Sequence, residues 1–552
     1  MMKNILVGIN SKYVHTNLAI RYLKKYVEQN SNEKIKIYES SINNNIQKII
    51  RDIIEEKPEN IFFSVYIWNV EMVFKIVKEI RKVLTKEKIY LGGPEVSYNP
   101  TEILEKNKEI DGILVGEGEN ILLNLLTKNI EEVKGIYYRN NNKIIFNGYE
   151  PLIENLDIIP FPYEDSELED VHKIVYYESS RGCPFNCSYC MSSIDKTVRY
   201  FSLDRTKKDL KKFIDIGTRL VKFVDRTFNL DKKRYLEIWK FLLENYRENI
   251  TFHFEINANI FDDEVLAFLK KVPRKLFQFE IGVQTINEDT MRIINRKNDL
   301  EKLFHNVTAI NKNIHLHLDL IAGLPYENYE TFKKSFDYVY NTKCEMIQLG
   351  FLKMLEGTEM KANGHKYNYK YLDFPPYEVI SNDFISYEEL CKLKDIEEVL
   401  DFYYNSQKFL KSLDFVVKNF FESPFDFFES IGEFYKNKGY LEIAHREIAI
   451  FNNFVEYYKK IGFPKLDEFL EYLKFDYLFL GKPGYYPEWI KEEKDKELYK
   501  NIIEKMEFKS SREAHKSTEL EKFSINMETD KKEDVYVFFE YTKDGTKYRI
   551  IK

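Results

Sequence analysis

Cysteine is scarce in this chain, with five in 552 residues, and that scarcity excludes a secreted disulfide framework. Long hydrophobic runs are missing as well. No stretch of eighteen apolar residues occurs, so no membrane-spanning helix is expected. The opening "MMKNILVGIN" moves straight into a strand pattern without an apolar h-region or a small-residue cleavage site. The expectation is a soluble, cytoplasmic protein with no membrane partner. A basic excess is also lacking: 83 Lys plus Arg stand against 90 Asp plus Glu, a net charge of −7. Charge alone therefore does not equip the surface to track a phosphate backbone, and nucleic acid is not expected as a partner. Internal repeats and disordered low-complexity tails are absent from the sequence too.

What is present is enough apolar material, 44% of the residues with 15% aromatic, to fill the three or four cores expected at this length. Residues 1–135 alternate short apolar runs with amphipathic segments ("NILVGI", "LAIRYLKKYVEQ", "KIKIYES", "IQKIIRDIIEE"). Such alternation predicts an α/β domain with a doubly wound parallel sheet and a ligand crevice at the carboxyl ends of its strands. Residues 136–170 read as a hairpin, "GIYYRNNNKIIFNG", and a proline-marked linker, "IIPFPYED". Six strand candidates separated by helical patterns fill 171–362, which predicts a (β/α)6 barrel or partial barrel. Residues 363–475 carry helical spacing and predict a mainly helical C-terminal domain. The extension 476–552 ends on a predicted β-hairpin turning at "KDG".

Strand periodicity in the barrel region puts polar residues on one face: Glu255 with Asn257; Gln278, Glu280 and Gln284; His315, His317 and Asp319. The apolar face must meet the surrounding helices, so the polar face is the lumen. Ordinary eight-stranded barrels fill that space with branched apolar side chains. A polar lumen predicts either a cavity for a polar ligand or a set of mutually satisfied buried pairs.

Three of the five cysteines, Cys183, Cys187 and Cys190, fall within the ten residues "RGCPFNCSYC". Cys-x3-Cys-x2-Cys just past the first barrel strand supplies thiolates for three irons of a [4Fe–4S] cube and leaves the fourth open. Structural zinc normally takes four ligands, and Cys344 and Cys391 lie far away in sequence.

The loop, with Tyr189 inside it, and the six-unit pattern behind it resemble the radical S-adenosylmethionine (SAM) superfamily. In that superfamily the open iron chelates SAM, and one electron cleaves it to a 5′-deoxyadenosyl radical. Further motifs resemble the oxygen-independent coproporphyrinogen dehydrogenase-like branch. By that resemblance Glu255 in "HFEINAN" and Gln284 in "EIGVQT" bind the SAM ribose, Arg296 in "IINRKN" its carboxylate, and Asp319 in "LDLIAGLP" lines the SAM pocket. Asp225 in "FVDRTFN" either reaches the methionine amine or serves as a cap or loop residue.

The first domain resembles the cobalamin-binding domain that precedes the barrel in one large class of these enzymes. The resemblance rests on Ser64 in "FSVYIW", on "LGGPEVS" with Gly92, Gly93 and Ser97, and on "GEGE" with Gly116, Glu117 and Gly118. Many cobalamin domains carry an Asp-x-His-x-x-Gly loop after the first strand; "NSKYVHTNLAI" keeps His15 but has Tyr13 and Leu18 in place of the Asp and Gly. His15 therefore either ligates cobalt or has a loop or corrin-edge role. A tRNA methylthiotransferase also places an α/β domain ahead of such a barrel, but its first domain carries three cysteines of its own, and here none precedes Cys183.

The resemblance implies three cofactors, a [4Fe–4S] cluster, SAM and cobalamin, and an oxygen-sensitive enzyme that methylates an unactivated carbon of a polar substrate. Radical rearrangement or cyclisation without methyl transfer is the alternative, and a non-catalytic cobalamin or redox sensor a third reading. A low-potential donor such as flavodoxin or ferredoxin is the implied electron source. The helical region resembles a C-terminal region of unassigned role in some relatives; Tyr377, Tyr387, Tyr403 and Tyr404 there are either core or a substrate entrance.

Overall fold

The computed structural model describes residues 3–141, 143–506, 508, 510–543 and 545–551. The chain divides into two compact units, residues 1–331 with 350–386, and residues 332–349 with 387–552.

In the first unit, β1 (Asn4–Asn10), β2 (Ile35–Ser41), β3 (Asn60–Ser64), β4 (Lys88–Gly92) and β5 (Gly112–Leu114) pair in parallel in the order β2-β1-β3-β4-β5. Every residue of β1 is buried, as the unbroken "NILVGIN" run requires when helices cover both faces. The helix Leu18–Asn30 begins where the Asn17 side chain caps the Ile20 amide, and it turns Ile20, Tyr22, Tyr26 and Val27 into the core. Strand order reverses between β1 and β3, and a ligand crevice opens at such a switch point. The hairpin expected within 136–170 extends this sheet. Its strands β6 (Ile136–Asn140) and β7 (Lys143–Phe146) add antiparallel, with Ile113 opposite Tyr137. The unpaired edge of β5 accounts for this pairing: alternating Ile136, Tyr138 and their partners have a face to bury there.

The barrel sheet runs β8 (Val175–Tyr177), β9 (Leu220–Phe223), β10 (Thr251–Glu255), β11 (Phe277–Gln284), β12 (His315–Ala322) and β13 (Met346–Phe351), each beside the next. In β11 and β12 every second residue is buried outright. Phe277, Phe279, Leu316 and Leu318 form the outer core, and Gln278, Glu280, His315 and His317 face the lumen. Six strands do not close a circle of the eight-stranded kind, which leaves a lumen open at one side for polar groups.

The second unit holds the helices Tyr387–Leu400, Leu410–Phe420, Pro424–Lys438, Glu447–Ile461 and Leu466–Phe479, followed by an antiparallel sheet of β14 (Thr518–Asn526), β15 (Lys531–Thr542) and β16 (Gly545–Ile551). The predicted hairpin is β15–β16, joined to a third strand; Asp544 of its "KDG" turn lies outside the described residues. Tyr403 and Tyr404 are buried, their hydroxyls bonded to Tyr435 and to the Cys344 carbonyl, so both belong to the core. Tyr387 is exposed, and Tyr377, in the first unit, donates to Glu95. Among the described residues no helix is long and apolar enough to cross a membrane.

Candidate active site

The cysteine loop leaves β8 through Ser179–Arg181 and is fixed by backbone bonds rather than by regular structure. Cys183 N donates to Asp195 O at 3.0 Å, Ser188 N to Ile294 O at 3.1 Å, and Met360 N to Ser188 O at 2.8 Å. These bonds tie the loop to the connections that follow β11 and β13. All three thiols are free, Cys183 buried and the other two half-buried. Burial pushes the Cys183 thiol above its ordinary value. Thr227 Oγ1 lies 3.9 Å from Cys183 Sγ, and Arg296 Nη1 lies 3.9 Å from Cys187 Sγ and 3.4 Å from the Tyr189 hydroxyl.

The three cysteines share a cavity of about 430 Å³ with Tyr189, Glu255, Gln284, Arg296 and Asp319. Four residues predicted from three different strands and a loop are thus brought together. Gln284 reaches the cavity through a bulge between Gly282 and Gln284, at a backbone φ of 69° that a glutamine rarely adopts. A Cβ on Gly282 would stand 2.2 Å from Gln284 Nε2 and 3.3 Å from Arg296 Nη2, so glycine is what lets both side chains through. Gln284 Oε1, Asp319 Oδ1 and Arg296 Nε are buried without a hydrogen-bond partner among the described residues. Buried polar groups are otherwise nearly always paired, so this donor and acceptor set fits a polar ligand. Burial, then the charge of Glu280, raises Glu255 to about 7. The same two causes, with Glu255 added, push Asp319 well above the carboxylate range.

Asp225 lies outside this cavity wall. It is buried and accepts from Ser179 N at 2.9 Å, Ser179 Oγ at 2.7 Å and Ser180 Oγ at 2.5 Å. These bonds clamp the segment that leads to the cysteines. Its neighbour Arg226 is exposed and points the other way, into the cavity. The sequence reading missed Arg226, which lies in a turn past the end of β9 (Leu220–Phe223), where strand alternation does not place it.

A second cavity, about 580 Å³, fills the switch-point crevice of the first sheet. His15, Ser64, Gly92, Gly93, Gly116, Glu117 and Gly118 all line it, as do Tyr176, Glu178, Arg181 and Arg226 from the barrel side. A Cβ on Gly93 would fall 2.4 Å from the Val65 carbonyl at a φ of 116°, so that wall stays flat only as glycine. Tyr66 and Trp68 stack at 4.4 Å on the same wall, a flat apolar plate unforeseen from "FSVYIW". His15 Nδ1 lies 2.7 Å from the Tyr176 hydroxyl, and burial, with Lys222, Lys12 and Lys173 behind it, lowers its pKa. Ser97 falls outside the crevice wall; its hydroxyl donates back to Gly93 O at 2.7 Å and closes the short helical turn after β4.

Glu117 lies at the junction of the two domains. Arg181 Nη1 reaches it at 3.1 Å and Arg199 Nη2 at 2.9 Å, while Ile153 N donates to it at 2.7 Å. Burial opposes its ionisation, but Arg199 and Arg181 outweigh that and hold its carboxyl below the usual range. Arg181 also binds Glu119 at 2.5 Å and Glu178 at 3.0 Å.

Family comparison agrees with this division. Residues 5–126 match the B12 binding domain, residues 177–339 the radical SAM superfamily, and residues 365–539 a protein of unknown function, DUF4080. The chain thus carries one region similar to the radical SAM superfamily and, ahead of it, one similar to the B12 binding domain. The two matched domains imply a [4Fe–4S] cluster, SAM and cobalamin as cofactors. The three thiols suit the cluster, the unpaired Gln284, Arg296 and Asp319 atoms suit SAM, and the glycine-lined crevice with its aromatic plate suits a flat macrocycle or base. An uncharacterized methyltransferase, PH0819, of Pyrococcus horikoshii is 25% identical over 62% of this chain and 77% of its own. The cobalamin-dependent radical SAM methyltransferase TokK of Streptomyces tokunonensis is 26% identical over 52% of this chain, which spans only 45% of TokK. Among solved structures, the cobalamin-dependent SAM radical enzyme OxsB with aqua-cobalamin bound shares the fold, with a TM-score of 0.59 and 15% identity over 86% of this chain and 80% of OxsB.

Proposed function

We propose that this B12-binding radical SAM protein methylates an unactivated carbon of a substrate that carries a polar, anionic handle. The observation that supports the reading most directly is that Arg226 and Glu255 line both cavities. One substrate held at that junction faces both cofactor sites at once. When bound, the cluster and SAM supply hydrogen abstraction and methylcobalamin supplies the transferable methyl group.

The chain's own part is holding, orienting and excluding water. Cys183, Cys187 and Cys190 would hold the cluster. Arg296 would meet the SAM carboxylate, Glu255 and Gln284 its ribose hydroxyls, and Asp319 a further polar edge. Gly92, Gly93 and Gly116 would let backbone approach the cobalamin tail, and His15, oriented by Tyr176, would either ligate cobalt or serve at the loop or corrin edge. Arg226, an exposed cation at the meeting point, positions an anionic substrate group. A flavodoxin- or ferredoxin-like protein supplies the electron.

The test uses anaerobically purified, cluster-reconstituted protein, with ultraviolet–visible and electron paramagnetic resonance spectra recorded with and without hydroxocobalamin, then with SAM and reductant. The expected result is stoichiometric retention of cobalamin and a reduced-cluster signal that shifts on adding SAM. SAM cleavage without retained cobalamin overturns the methyl-transfer reading. A product lacking the added methyl group selects rearrangement or cyclisation.

A further inference from the structure

The barrel lumen continues below the layer of Gln284 and Asp319, and the two histidines there have no part in the reading above. Register places them: His253 pairs with Gln278 and Gln278 with His315, while Glu280, which also lines the cluster-side cavity, pairs with Glu255 and with His317. His253, Glu280 and His317 therefore converge at and just below the level of Glu255. One potential ligand atom from each lies within 4.8 Å of the others.

We propose that His253, Glu280 and His317 form a mononuclear site for a borderline divalent cation of the zinc type. Two imidazoles and one carboxylate are a donor set that zinc takes, with a further position left for water or another oxygen donor. A tetrahedral ion with bonds of about 2.0–2.1 Å holds its donors about 3.3 Å apart. His253 Nε2 and Glu280 Oε2 are already at 3.2 Å. The His317 donor atom lies within 4.8 Å of both.

A second observation points to a ligand independently. His253 is 1% exposed; its Nε2 contacts Glu280 Oε2 at 3.2 Å, and its Nδ1 has no hydrogen-bond partner among the described residues. A buried imidazole with an unpaired nitrogen is uncommon, and a metal bond would satisfy one ring nitrogen. A metal-bound histidine needs an acceptor for its other ring N–H, and His315 Nε2, 2.9 Å from His317 Nε2, is placed to accept it. Lys222 faces the same groups from β9 and opposes a cation. The Glu280 carboxylate in the same layer offsets that charge.

The inference is separate from the methyl-transfer reading and is tested without turnover. The full chain carrying Cys183→Ala, Cys187→Ala and Cys190→Ala removes the competing thiolates. It is titrated with zinc chloride, and with cobalt(II) chloride in the absence of cobalamin to read visible d–d bands. One equivalent is expected to bind, with nitrogen and oxygen ligand bands and no thiolate charge transfer, and zinc is expected to raise the melting temperature. Adding His317→Gln or His253→Gln is expected to weaken binding at least about 100-fold, since even outer-shell changes cost 10–100-fold. Absence of binding, or binding unchanged by both histidine variants, overturns the site. Should His253→Gln fail to fold, the less buried His317→Gln decides.

Discussion

Replacing Arg181 with Gln tests whether the junction of the cobalamin crevice and the cluster loop is held by charge. Arg181 immediately precedes Gly182 and Cys183, and its side chain, 13% exposed, contacts Glu117, Glu119 and Glu178 at 3.1, 2.5 and 3.0 Å. Gln keeps much of the volume and removes the charge. Arg199 still serves Glu117, but Glu119 and Glu178 are left as buried carboxylates without their cation. Breaking a buried pair in this way costs about 3–5 kcal/mol, more than the pair itself is worth, because the remaining charge stays desolvated. For a cooperative unit larger than 250 residues this corresponds to a fall in melting temperature of roughly 6–10 °C.

The pH dependence gives the prediction its sign. Burial already raises Glu178, and Arg181 is the leading group that opposes the rise. Without Arg181 its folded value climbs further above the unfolded 4.5. A group raised on folding stabilises the fold below its unfolded value, and loses that contribution as pH rises through the folded value. The deficit of the variant is therefore larger at about pH 8 than at about pH 5.5. Glu117, held down in the native protein, contributes above 4.5 and loses its share only in stronger acid, so it leaves this window undisturbed. Thermal unfolding of the full chain at the two pH values, followed by far-ultraviolet circular dichroism, measures the difference. A deficit under about 1 kcal/mol, the range of an exposed pair, or one equal at both pH values would refute the reasoning.

Further expectations concern single residues. With Glu255 at about 7, its ionised fraction rises about tenfold between pH 6 and pH 8; SAM affinity measured calorimetrically should rise with it, and Glu255→Gln should flatten the profile. Gly93→Ala places a Cβ 2.4 Å from the Val65 carbonyl at positive φ, costing about 1–3 kcal/mol. Retained cobalamin should fall while SAM binding is unchanged, and equal loss of both would contradict a local role. Asp225→Ala removes an acceptor serving Ser179 and Ser180, with each such charged bond worth about 1.5–3 kcal/mol. Its melting temperature should drop with no change in the SAM dissociation constant of the folded protein. A selective loss of SAM affinity would return Asp225 to the methionine end of the pocket.

What the sequence made legible follows from how far each signal reaches. Alternation along β10, β11 and β12 names a face, and the lumen positions of Glu255, Gln284 and Asp319 were readable because a strand's period is local. The cysteine spacing was readable for the same reason: the ligand set lies within one loop. Asp225 and Ser97 could not be decided in that way. Each stands at the end of a strand, where alternation stops. Its partner determines its role, and for Asp225 that partner lies 46 residues away on Ser179. The hairpin at 136–146 shows the same limit at the scale of an element. Its pattern announces two strands, but only the open edge of β5 decides that they join the first sheet. His253 marks the positive side of this argument. It lies two residues from Glu255, on the face that the alternation of β10 fixes, whereas Arg226, past the end of β9, shares the limit that applies to Asp225. A residue two positions along a strand from a cofactor contact occupies the next layer of the same lumen, and that is the place to look for chemistry the motifs do not name.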